Sequence, residues 1–221
     1  MKTEHIVKRV LRYAINNSPI RFDYRINKYW VNPAQDDAKL WYKFIGFIPD
    51  GKVLDIGCGD RPFPSATFLV DKKVIKTTKP FCLADIEALP FADKEFDFVF
   101  CSHVLEHTLN PLKACRELMR VGKRGYIETP RISIDALFAW DDSNHNWLVH
   151  NSGNTLFFFP LTDSLREGIN STAWRDVLSS FWRHPLAEAF YKNPEVFNVM
   201  FNWEGKFNAF VFYKDGRCLS N

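Results

Sequence analysis

What the chain lacks narrows it first. No apolar run approaches the ~20 residues of a membrane span, and the first residues hold no apolar stretch of the kind a secretion signal carries. The expectation is a cytoplasmic protein. The five cysteines, Cys58, Cys82, Cys101, Cys115 and Cys218, are odd in number and nowhere spaced C-x-x-C. That argues against a disulfide framework and a zinc site, and three of the five lie in apolar runs, as buried free thiols do. Net charge is only +3, from 29 Lys and Arg against 26 Asp and Glu, too little for a general polyanion binder. Repeats and low-complexity segments are missing, and so is any linker long enough to separate a pair of domains.

What is present is an ordinary globular composition, 46% hydrophobic and 25% charged, with an unusual 16% of aromatic residues. A length of 221 residues is about one and a half times a typical domain of ~150. One domain is expected over 1–221: a helical cap at 1–48, a core at 49–130 and an addition at 131–221. The addition holds 18 of the 35 aromatic residues. Basic residues cluster in 1–28, where seven oppose only Glu4 and Asp23. Ile6, Val7, Val10, Leu11, Ala14 and Ile15 recur at helical spacing opposite Lys8, Arg9 and Arg12, which predicts an amphipathic helix over 4–15. It reads either as a docked helix with a solvated basic face or, less favoured, as a membrane-surface or RNA contact. A second helix is predicted from Ala34 to Phe47, ended by Pro49-Asp50-Gly51.

From Val53 onward the pattern changes to short apolar runs that end in small or acidic residues. Strands are predicted at Val53–Ile56, Thr67–Val70, Phe81–Ala84, Phe96–Cys101 and Tyr126–Thr129, with a helix over Leu112–Met119. Alternating strands and crossovers imply an α/β fold with a doubly wound, mostly parallel sheet, and such sheets bind ligands beyond the carboxyl ends of their strands. Farther on, His145–His150 and Thr155–Phe159 predict a hairpin about the polar turn Asn151-Ser152-Gly153-Asn154, a helix is predicted over Trp174–Tyr191, and Phe197–Trp203 with Phe207–Tyr213 predict a second hairpin about Glu204-Gly205-Lys206.

Val53-Leu54-Asp55-Ile56-Gly57-Cys58-Gly59 is a strand running into an acid-x-Gly-x-Gly turn. It resembles the first motif of the class I S-adenosylmethionine-dependent methyltransferases, and further elements follow in that family's order. Asp71 ends the second strand and Asp85-Ile86-Glu87 follows the third. Leu89-Pro90-Phe91 through Phe96-Asp97 resembles the run into the fourth strand, and Ser102-His103-Val104-Leu105-Glu106-His107 the segment after it. The resemblance covers roughly residues 50–130. It implies a Rossmann-like fold, S-adenosyl-L-methionine as cofactor, and cofactor contacts from Asp55, Gly57, Cys58, Gly59, Asp71, Asp85, Ile86 and Ser102. In the family, the acid after strand two takes the ribose hydroxyls and the acid after strand three the adenine amine. Two departures mark a subfamily. Arg61-Pro62-Phe63-Pro64 stands where a third small residue is usual, and only about ten residues separate Gly57 from the second strand, too few for the usual crossover helix. A nicotinamide fingerprint G-x-G-x-x-G fails because Pro62 stands at the third glycine.

Methyl transfer to a hydroxyl or protonated amine needs a base, and histidine suits that task. His103, just past strand four, is the first candidate, His107 the second and His145 a third; the structural alternative is a backbone hydrogen bond for His107 and, for His145, a half-exposed hairpin with Trp147 as core filler. Trp147 on the same strand face as His145, and Arg131 after strand five, are candidate acceptor contacts. No metal is expected, since His103, Glu106 and His107 lack the H-E-x-x-H order. No Asn/Asp-Pro-Pro-aromatic run follows strand four and no cysteine follows a proline, so a nucleic-acid acceptor is not favoured. The expectation is methylation of a small polar acceptor, sugar-like, phosphorylated or of secondary metabolism, at oxygen. A nitrogen acceptor and a non-catalytic binding or scaffold role stay open.

Overall fold

In the central strands, alternate residues fall on opposite faces and both faces are apolar. The computed structural model of the chain describes residues 41–132, 145–162 and 193–221. Leu54, Ile56, Val99, Cys101 and Ile127 belong to one buried cluster, while Val53, Phe98, Phe100 and Tyr126 belong to another. Strands buried on both faces read as near-continuous hydrophobic runs, which is what a parallel sheet requires.

Six strands form the main sheet: β1 (Val53–Ile56), β2 (Phe68–Asp71), β3 (Phe81–Leu83), β4 (Phe98–Ser102), β5 (Arg124–Pro130) and β8 (Asn198–Glu204). Their order is β3-β2-β1-β4-β5-β8, parallel throughout except for β8, which runs antiparallel to β5. The fold is therefore the doubly wound, mostly parallel Rossmann-like α/β sheet. Its order reverses beside β1, where the chain returns to place β4, and a crevice opens at the carboxyl ends there.

Helix α1 (Pro111–Val121) begins where Asn110 Oδ1 accepts from the Lys113 amide at 3.1 Å with Pro111 at its first turn. It buries Leu112, Ala114, Cys115 and Leu118 on the first cluster. On the other face no helix crosses from β1 to β2, in keeping with the short spacing after Gly57. Phe63, fully buried, fills that space: its ring stacks on Phe100 at 4.2 Å and 3°, and Phe100 stacks on Tyr126. Residues 41–45 are helical and add Trp41 and Ile45 to the same cluster.

A second sheet has the order β10-β9-β7-β6, from β6 (Trp147–Ser152), β7 (Thr155–Pro160), β9 (Asn208–Phe212) and β10 (Cys218–Ser220). The β6–β7 hairpin forms as the sequence predicts, closing at Ser152 and Thr155 around Gly153. The second predicted hairpin does not form. Among the described residues β8 pairs only with β5, and β9 pairs with β7 and β10, so the chain leaves one sheet at Gly205 and enters the other. The side chains still share one interior, since Phe201, Trp203, Ala209 and Val211 are buried in the same cluster, but the backbones pair in different sheets. The predicted helices over 4–15 and Trp174–Tyr191, and the first part of the one from Ala34, lie outside the described residues. No helix among the described residues is long and apolar enough to cross a membrane.

Candidate functional site

The crevice at the carboxyl ends of β1, β2, β3 and β4 is a cavity of about 610 Å³, within the usual range for a small-molecule site. Gly57, Gly59, Asp71, Asp85, Ile86, His103 and His107 line it, as the sequence reading expects. Gly57 has a positive φ of 71°, and a Cβ there would lie 2.3 Å from Val104 Cγ2. Only glycine fits at that turn.

The two acids at the strand ends are built as acceptors. Asp71 receives the Gly59 amide on Oδ2 at 3.0 Å and the Lys73 amide on Oδ1 at 2.9 Å. Asp85 Oδ1 receives the Glu87 amide at 2.8 Å. Each ionised oxygen keeps a further acceptor position. Asp60, Lys72, Lys73, Val74, Val104, Thr108 and Leu109 also line the cavity and were not anticipated. They follow the strand-end residues in sequence, and the loop positions after each strand were the signal that could have found them.

Several expected contacts fall elsewhere. Asp55 does not line the cavity. It is on the opposite sheet face, 2% exposed, and accepts from the Phe63 amide at 2.7 Å. Desolvation by burial drives its carboxyl up to about 7, against the lesser pull of that amide. Cys58 lies in the aromatic cluster, and burial pushes its thiol up to about 12. The amides of Gly57 and Cys58 donate to Val70 O, and that of Gly59 to Asp71, so none of the three is left aimed at a ligand by itself. Ser102 is held in β4 opposite Glu128 and is not part of the lining. Arg131 donates through Nε to Glu195 O at 3.1 Å, and Trp147 is a core residue whose Nε1 donates to Thr108 O at 2.8 Å. Neither lines the cavity.

The histidines occupy one end of the crevice. His103 has a positive φ of 55°, and its ring sits between two buried carboxylates, 3.4 Å from Glu106 through Nδ1 and 3.4 Å from Glu128 through Nε2. Burial works against its charge, but the two carboxylates outweigh it and raise the imidazole to about 10. Its side chain is 46% exposed, so water screens part of that field. Both nitrogens are nevertheless committed to carboxylates, which makes His103 an imidazolium tie near neutral pH and not a free base. Glu128 in turn accepts from Tyr126 and Asn198. His107 lines the cavity beside it, with the ring of buried His145 against its own at 4.7 Å and 72°.

S-adenosyl-L-methionine fits this crevice by the character of its walls: anionic acceptors at the ends of β2 and β3, and a glycine turn with no room for a side chain at β1. The pattern agrees with comparisons to known proteins. Residues 54–127 match the model of the methyltransferase domain family. The chain is 28% identical over 167 residues to the demethylmenaquinone methyltransferase of Renibacterium salmoninarum, a match spanning 60% of this chain and 70% of that protein. It is 26% identical over 167 residues to the tRNA U34 carboxymethyltransferase of Campylobacter curvus, spanning 62% of this chain and only 55% of that relative. Among solved structures, a methyltransferase from Aquifex aeolicus aligns over 49% of this chain and 73% of its own, at 19% identity and a TM-score of 0.35. The glycine turn, the strand-end acids and the match to the methyltransferase domain family over residues 54–127 all fall on one crevice, consistent with the class I S-adenosyl-L-methionine-dependent methyltransferases that the sequence resembles.

Proposed function

We propose that the protein methylates a small polar acceptor, at an oxygen atom. The observation that carries this reading is the division of one cavity into two chemistries. The β2 and β3 ends supply Asp71 and Asp85, while the β4 end supplies His103, His107 and the carboxylates behind them. S-adenosyl-L-methionine supplies an electrophilic methyl group on a sulfonium. Asp71 would hold the ribose hydroxyls and Asp85 the adenine amine, as the strand-end positions of the family do. Holding acceptor and donor in near-attack geometry supplies much of the rate in such a displacement.

A hydroxyl acceptor must also lose its proton. His103 is committed to Glu106 and Glu128, so that task falls to the neighbouring group of His107, Glu106 and His145. A small acceptor is favoured over a nucleobase because the described lining contains no Phe, Tyr or Trp ring on which a base could stack. The N-terminal basic segment and the tRNA named for one relative are the grounds for testing RNA as well.

The test is methyl transfer from labelled S-adenosyl-L-methionine to a panel of hydroxylated, phosphorylated and amine-bearing small molecules, with transfer RNA alongside. Mass spectrometry of the products places the methyl group. A labelled ether or ester supports the reading; label appearing only in RNA or only on nitrogen overturns it.

A further inference from the structure

The group beside the methyl-transfer end is more than a set of bases. Glu106, His107 and His145 each present a donor atom, and these atoms lie within 4.8 Å of one another. Glu106 is fully buried, and neither of its carboxylate oxygens accepts a hydrogen bond. Its ion-pair contact is His103, which also serves Glu128. A fully buried carboxyl group without a hydrogen-bond partner is rare in a folded protein and calls for a further ligand.

The fold holds these three residues together from two distant segments. His107 and Glu106 end a single 3₁₀ turn (Leu105–His107), and His145 lies two residues before β6. The residues after His145 grip the turn by its backbone. Asn146 N donates to Glu106 O at 2.7 Å, Asn146 Nδ2 to His107 O at 3.0 Å and Trp147 Nε1 to Thr108 O at 2.8 Å. Three carbonyls in a row are thus taken by one short segment, which fixes where His145 stands. The two imidazoles meet nearly perpendicular and not stacked, an arrangement compatible with two ligands converging on one centre. His103, against Glu106 Oε1, occupies the place of an outer-shell partner that orients a ligating carboxylate.

The geometry points to a divalent transition-metal site formed by Glu106, His107 and His145. Two imidazoles and one carboxylate suit zinc or a similar first-row ion, whereas magnesium and calcium favour oxygen donors. His107 also lines the cavity, so an ion held there would have a coordination position toward the acceptor. It would bind the acceptor oxygen and make its proton easier to lose to solvent water, the three residues then acting as ligands in place of bases. That role rests on the oxygen-methylation reading above; the binding of the ion does not.

The experiment titrates cobalt(II), a spectroscopic stand-in for zinc, into the full-length protein stripped with chelator. Visible absorption follows cobalt, and elemental analysis checks zinc after dialysis. One equivalent is expected, with ligand-field bands that zinc displaces. Glu106→Gln and His145→Gln should each weaken binding by more than the ~10–100-fold typical of losing an outer-shell partner. Circular dichroism and thermal midpoints on both variants verify folding, and either folded variant suffices. Absence of a stoichiometric ion in the wild-type protein, or equal affinity in a folded variant, overturns the site. Calorimetry with S-adenosyl-L-methionine on the same stripped sample separates the two readings. Cofactor binding without cobalt binding discards the metal site alone, and cobalt binding without cofactor binding discards the methyltransferase reading of the cavity alone.

Discussion

Asp55 and the Phe63 amide, eight residues apart, close the space where a crossover helix would otherwise pack. The amide donates to Asp55 Oδ2 at 2.7 Å, and the Phe63 ring stacks on Phe100 directly after it. The hydrogen bond does not compensate burial, since the Asp55 carboxyl is raised from an ordinary 3.8 to about 7. The folded chain therefore binds a proton between these values that the unfolded chain has released. Stability contributed by this residue is lost as pH rises from about 4 to about 7, and the penalty is constant above that.

Asp55→Asn keeps an acceptor for Phe63 and removes the charge. The variant should be more stable than the parent at pH 8, by on the order of 1–4 kcal/mol, and equal to it near pH 4. Thermal midpoints across pH 4–8 measure this. Parallel curves for the two proteins would refute the assignment.

Gly57→Ala tests the turn into the cavity. The positive φ alone costs a side-chain-bearing residue about 1–2 kcal/mol, and the added methyl would meet Val104 at 2.3 Å. Val104 also lines the cavity, so cofactor affinity should fall together with stability. Adding Val104→Ala should recover some of the affinity but not the backbone cost. Calorimetry and melting of the single and double variants separate the two contributions.

Asp71→Asn tests the acceptor at the β2 end. Amides arrive at both oxygens of Asp71, so an Asn nitrogen must face one of them as a second donor. Hydrogen bonds to a charged group contribute about 1.5–3 kcal/mol, so S-adenosyl-L-methionine should bind about tenfold to a hundredfold more weakly. Unchanged affinity would remove Asp71 from the site.

Trp147→Phe deletes the donor to Thr108 O while keeping most of the buried ring. A loss of about 1 kcal/mol is expected. Asn146→Ala should cost more, because its side chain donates to both His107 O and Thr108 O. Urea midpoints rank the two, and the reverse order would show that the backbone grip on the 3₁₀ turn is not carried by Asn146.

The sequence made β1 to β5 and α1 readable because each is a local pattern: a buried run stopped by Asp71, Asp85 or Pro130, or helical spacing capped by Asn110. Asp71, Asp85 and Gly57 were readable for the same reason, being defined by where a strand ends. Asp55 misled because the acid-x-Gly-x-Gly motif drew the eye along the chain, whereas the two-residue period of β1 puts Asp55 on the Val53 face, away from Ile56. β8 and β9 were recognisable as strands but not as partners of β5 and β7. Glu204-Gly205-Lys206 has the composition of a tight turn, and only backbone pairing with distant strands, β5 for β8 and β7 for β9, separates them. The approach of His145 to His107 was hidden altogether, since it depends on Asn146 and Trp147 finding carbonyls across 39 and 38 residues of chain.

The divergence of β8 and β9 at Gly205 also sets an order of events for folding. Thr155 in β7 pairs with Asn208 in β9, so the second sheet closes only after the chain has travelled out and back by way of β8. Pairing so far apart in sequence carries a loop-closure cost that local contacts do not. The main sheet, with β8 seated on β5, brings β9 to within a few residues of its berth and removes most of that cost. The second sheet, which carries His145 at its border with the crevice, is thus expected to be the last region of the described fold to assemble, and the metal-ligating trio can be complete only when it has.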